Sequence, residues 1–384
     1  MPPQPAPLRP VTPAGSVLLD VVRFGAAIAV AFGHLTGPGL STHWPYMLTL
    51  AVDAVAIFFV LSGFVIRLIS KARHMTATSY AVDRFSRIYS VLLPALLFTI
   101  AVVACLHVFP SSAIAAPADS LRSLAFQFLA CATFTGSLWG LDVPMSFNSV
   151  FWSLSYEWSY YTFYAVAFFA RGKFKWIALL ALALLVGPPI LFLLPLWLFG
   201  CALYDIYQWL RASPRPLTMY FGALCAAALL TFLVGLAWFA ARHCSLASSL
   251  SAALQQLRHW TATHHLHLLQ RASFDAYLVG IPAGILILGF LLVLDRVSLS
   301  RDHPSLKIIR RIADGTFALY LFHLPIFLLF AAYIPYNRAS SWQKLSIFAA
   351  TIAIAVAIAI PLDLLKRWLR ATAPRSLHLT QPSA

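Results

Sequence analysis

Residues 19–34 read LDVVRFGAAIAVAFGH. The stretch belongs to an apolar run over 17–36, long enough to cross a hydrocarbon core of about 30 Å. It nevertheless carries Asp20 and Arg23 near one end and His34 at the other. A charged side chain at bilayer depth costs at least about 2.5–3.5 kcal/mol, so a helix holding such groups is expected to turn them into a bundle that uses them. Eleven residues of α-helix rise about 16 Å and return to within about 20° of register. Arg23 and His34 therefore share one face, and Asp20, one turn before Arg23, can pair with it. The span reads as one wall of a polar track through a membrane bundle.

Composition extends that reading to the whole chain. Of 384 residues, 61% are hydrophobic and 10% charged, with a mean hydropathy of +0.81; a soluble domain is about 25% charged. Apolar runs recur near 17–36, 47–70, 88–109, 147–170, 174–194, 195–210, 217–241, 276–294, 313–334 and 345–369. They predict an all-α, polytopic integral membrane protein with about ten transmembrane helices in one bundle. The segment 121–138 is a marginal eleventh candidate, re-entrant or interfacial.

With the N-terminus inside, this topology puts 20 of the 27 Lys and Arg on the cytoplasmic side and 6 outside, with Arg23 within a span. The positive-inside rule requires that asymmetry. The net charge of +15 is thus explained by lipid headgroups or a phosphorylated cytosolic substrate, and nucleic acid is not an expected partner. Residues 1–15 are expected to be a disordered Pro-rich tail, 16–370 a single membrane domain and 371–384 a cytoplasmic tail. The first span, which contains Asp20 and Arg23, reads as retained and not as a cleaved signal. Both termini are expected in the cytoplasm.

Five cysteines (105, 131, 201, 225 and 244) have no CxxC spacing and read as small apolar residues of the bundle. The outer connection 242–275 holds His259, His264, His265 and His267, but no Cys, Asp or Glu joins them at ligand spacing before Asp275. An interfacial or acceptor-facing helix is expected there, and no metal.

Further ionisable residues recur inside the runs. Asp53 lies about six residues into the second span, at a depth similar to that of His34. A carboxylate beside an imidazole fixes its tautomer and raises its basicity, as a general base requires. Ser62 and Gly63 in the same span allow close helix approach. In the following segment, placed inside, Arg84 and Arg87 are three apart, so both guanidiniums face one way and can grip phosphate. The fourth span carries Glu157 among Trp152, Ser155, Trp158, Tyr160 and Tyr161. The ninth carries His323 at mid-bilayer, followed by Pro325, which can kink the helix and free a backbone carbonyl.

LDVVRFGAAIAVAFGH, VDAVAIFFVLSGFVI, RFSRIY and FWSLSYEWSYY, with DGTFALYLFHLP as a weaker fifth stretch, together resemble the membrane acyltransferase-3 family, in that family's order, over about residues 17–335. The resemblance implies a ten-span enzyme that moves an acyl group, usually acetyl, from cytosolic acyl-CoA to a hydroxyl of a cell-surface glycan or glycolipid, in a bacterial inner membrane. It implies His34 as catalytic base, Asp53 in support, and Arg23, Arg84 and Arg87 on the CoA side. Glu157, a further catalytic candidate, and Trp152 fall in the family's Trp-Ser-x-x-x-Glu stretch; Asp20, Trp152, Tyr160 and His323 read as substrate or supporting positions. Departures occur at Ser90, Trp158, Thr316 and Phe317. The rival class is a proton-coupled secondary transporter, which would also use intramembrane Asp, Glu and His but leaves the arginine pair unexplained.

Overall fold

The computed structural model describes residues 11–212 except 38, 45, 46, 73 and 74, then 275–297 and 304–372, with isolated positions between 226 and 256. The expected seventh span, most of the 242–275 connection with its four histidines, and both terminal tails beyond residues 11 and 372 lie outside the described residues. Among those described there are eleven α-helices and no strands. They are α1 (Pro13–Leu35), α2 (Leu48–Ala72), α3 (Ala77–Val108), α4 (Leu121–Ala132), α5 (Trp152–Phe169), α6 (Gly172–Val186), α7 (Pro188–Ala212), α8 (Asp275–Leu294), α9 (Pro304–Ala313), α10 (Thr316–Tyr333) and α11 (Ser341–Ala371). Seven of them (α1, α2, α3, α7, α8, α10 and α11) are long and apolar enough to cross a membrane. The chain is a multi-pass membrane protein.

Local chemistry explains the boundaries. Thr12 caps α1 by accepting from the Gly15 amide, with Pro13 just inside the helix. Thr76 and Ser79 cap α3 reciprocally. That cap corrects the expected third span: the helix begins eleven residues before 88, so Arg84 and Arg87 stand on its early turns and not in a loop. Gly187, with φ +80°, ends α6, and α7 then runs unbroken through Pro195 to Ala212. The expected fifth and sixth spans are therefore divided at 187, not 194. The fifteen-residue α6 is only about 22 Å long.

Small residues set the closest crossings. A methyl added at Gly63 would overlap the Trp197 carbonyl, and one at Gly200 would overlap that of Val60, so α2 and α7 meet backbone to backbone. A methyl at Gly33 would lie 2.9 Å from the Met47 carbonyl and 3.0 Å from the Ala51 Cβ. The last turn of α1, which holds His34, therefore lies against the first turn of α2, just before Asp53. Between α4 and α5 the chain enters the bundle, where Asn148 is fully buried and bonded to both α3 and α10.

Candidate active site

The arginine end of α1 comes first. Arg23 and Asp20 pair at 3.6 Å, as their one-turn spacing requires. Arg23, Arg84, Arg87, Ser62, Glu157 and Tyr161 line a narrow recess of about 70 Å³. Arg23 and Arg87 also line an adjoining recess of about 150 Å³, bounded by Asp314, Lys366 and Arg370. Glu157 accepts hydrogen bonds from the Ser62 hydroxyl, at 3.1 Å, and from the Tyr161 hydroxyl. Its carboxylate thus belongs to the arginine end.

The two arginines of the RxxR stretch differ. Arg84 is 3% exposed, pairs with Asp83, and lies over the Tyr161 ring at 5.5 Å. Asp83 also takes Arg370 from α11. Arg87, half-buried, faces both recesses, and among the described residues no ion pair takes it. The adjacent carboxylate of Asp83, visible in the sequence, is the signal that separates them.

At the other end of α1, His34 lines a cavity of about 630 Å³. Its Nδ1 lies 2.9 Å from the Val30 carbonyl oxygen and 3.2 Å from Nε2 of His323, whose own Nδ1 lies 3.0 Å from the Leu319 carbonyl. Carbonyl oxygens only accept, so each Nδ1 carries a hydrogen. His323 Nε2 is then a lone pair that accepts from His34 Nδ1–H. The opposite assignment would set two lone pairs against two carbonyl oxygens. In the neutral ring, Nε2 of His34 is then the nitrogen with the free lone pair, the form a general base needs.

His323 is completely buried, and its partnership with His34 joins residues 289 apart. Asp53 is half-buried on α2, one turn past the Gly33 contact.

The remaining named residues pack against their neighbours in the bundle. Tyr160, fully buried, donates to the Ile190 carbonyl at 2.9 Å and ties α5 to α7. Trp152 opens α5 and meets Tyr156 edge to face. Between the two ends stands a thin layer: Tyr320 and Ser153 hydroxyls 2.6 Å apart, with Phe58 edge-on to Tyr320. All three line the arginine recess, while Asn148 and Ser149 line the histidine cavity. Tyr161, one of the tyrosines that flank Glu157 in the sequence, is the one that bonds it; Ser62, Ser153 and Tyr320 carry no charge and sit in ordinary apolar helices, so no pattern in the sequence assigns them a place in the site. Among the described residues no group of His, Cys, Asp and Glu could hold a metal ion.

A helical bundle with a cationic recess at one end and an imidazole cavity at the other defines a polytopic membrane protein with two separate recesses on one helix. The family model described as an acyltransferase domain matches residues 17–363, and the chain belongs to the acyltransferase-3 family. No curated protein and no solved structure matches it. Membership makes it a membrane acyltransferase.

Proposed function

We propose that the protein transfers an acyl group, acetyl first, from acyl-CoA to a hydroxyl of a cell-surface or exported glycan or glycolipid. The observation that carries this reading is the placement of Arg23 and His34 on one face of α1. They are about 16 Å apart, close to the reach of an extended pantetheine arm, and open to separate recesses. CoA phosphates rest on Arg23 and Arg87, with Arg84 shaping the floor. The thioester reaches past the Tyr320 layer to His34, whose Nε2 takes the proton of the acceptor hydroxyl as that oxygen attacks the acyl carbonyl; the CoA thiolate leaves. Asp53 supports His34, and Glu157 orders the track beside Arg23 through Ser62 and Tyr161. The arginine end faces the cytoplasm, the source of acyl-CoA, as the distribution of basic residues favours.

Purified protein given acetyl-CoA should release free CoA thiol, faster when an acceptor is added and not in His34→Ala. No release above buffer from well-folded wild-type protein would refute the donor assignment.

A further inference from the structure

One side chain in the wall of the histidine cavity has a hydrogen-bonding capacity that no group among the described residues uses. Asn148 is 0% exposed and lines the cavity together with His34. Its Nδ2 lies 2.9 Å from the Leu321 carbonyl and 3.2 Å from the Thr99 hydroxyl oxygen. Both partners can only accept: Leu321 O is a carbonyl, and the Thr99 hydroxyl spends its hydrogen on the Ala95 carbonyl at 2.8 Å. The carboxamide orientation is therefore fixed, with nitrogen toward α3 and α10. Leu321 needs that donor because the residue four positions on is Pro325, which has no N–H to give. The amide oxygen is left over, buried and without a hydrogen-bond partner among the described residues. An unpaired buried acceptor costs about 1–3 kcal/mol, and the fold keeps this one beside a residue in a left-handed conformation, Phe147 at φ 58°.

The rest of the wall has the same character. The Asp119 carboxylate accepts from Ser123, Gln127 and Ser146, and the Gln127 carbonyl oxygen accepts from the Ser146 amide. The hydrogen bond from Ser146, then that from Ser123, hold the Asp119 carboxyl below its ordinary range, so it stays ionised. Among the described residues no Lys or Arg lines this cavity, whereas the acidic side chains Asp119 and Asp142 do. Such a wall suits a ligand rich in O–H donors and repels phosphates and carboxylates. Its volume of about 630 Å³ falls within the usual range of small-molecule sites.

We infer that Asn148 positions the acyl acceptor, its amide oxygen receiving a second hydroxyl of a neutral polyol while His34 acts on the first. This rests on the acyl-transfer reading above. It adds that the acceptor bears at least two hydroxyls and no anionic group near the one acylated.

The test uses full-length protein with labelled acetyl-CoA and three acceptor probes: methyl glucoside, its monodeoxy analogues, and 1-propanol. Wild type should acylate methyl glucoside with a kcat/KM at least about tenfold above 1-propanol, and one monodeoxy analogue should lose that advantage. Asn148→Leu should erase the advantage, read as the glucoside-to-propanol ratio of kcat/KM. Thr99→Val, which loosens the amide but keeps its oxygen, should retain the preference. If Asn148→Leu slows propanol and glucoside transfer equally, the residue only holds α10 in place and the inference falls. If the variant does not fold, the deoxy series on wild type decides, and equal rates across it overturn the inference. Hydrolysis without any polyol preference would also overturn it while sparing the acyl-CoA reading. Absence of thiol release would bring down both.

Discussion

At the arginine end, charge is balanced by charge: Asp20 against Arg23, Asp83 against Arg84 and Arg370, with Arg87 left facing the recesses. At the histidine end, two imidazoles are locked to backbone carbonyls and to each other. Coulombic attraction falls slowly with distance, so the first end can hold a flexible polyanion in more than one pose. A hydrogen bond weakens steeply with misdirection, so the second end tolerates almost no change in position. Binding belongs to the first kind of construction and proton transfer to the second.

The largest effect that would break this contrast is at His34. General-base catalysis contributes about 10²–10⁴-fold, so His34→Ala should lose at least about a hundredfold in kcat at equal membrane abundance, with donor affinity kept. Asp53→Asn should cost less than that, and the double variant little more than His34→Ala alone, because residues acting as a unit are not additive. Near-normal transfer by His34→Ala would move the base elsewhere.

Next comes His323. Replacing it with leucine removes one of the two acceptors that hold the His34 tautomer, and kcat should fall about tenfold with the donor KM unchanged. Glutamine, which can place an amide oxygen near the position of Nε2, should restore most of the rate. Equal loss in both variants, matched by lower abundance, would reduce His323 to packing.

The arginine pair sharpens the contrast from the other side. Arg87→Lys keeps charge but loses the fork, so the apparent KM for acetyl-CoA should rise about tenfold with kcat little changed. Arg84→Lys should instead lower thermal stability, because it breaks the Asp83 pair and the Tyr161 stack. If Arg84→Lys weakens donor binding and Arg87→Lys does not, the roles drawn from their burial are reversed. The smallest effect is expected at Tyr160→Phe: about 1 kcal/mol of stability, read by thermal denaturation, with unaltered kinetics.

Helical periodicity made the α1 face legible, because Arg23 and His34 lie on one element and 3.6-residue geometry relates them directly. The freed Leu321 carbonyl was legible too, since Pro325 dictates it. The start of α3 was not: its basic first turns read as a loop, whereas they form the charged end of a 32-residue helix. Nor was the His34–His323 pair, which depends on how α1 and α10 cross. Asn148 lies outside the regular helices, where its hydrogen bonds to α3 and α10 leave no periodic trace.

The Phe58–Tyr320–Ser153 layer has an electrical consequence. Polar recesses approach it from both ends of the bundle, so most of a transmembrane voltage would drop across this short stretch. The drop amounts to about 2.3 kcal/mol per elementary charge for each 100 mV. Any charge that crosses the layer during transfer would therefore feel the membrane potential.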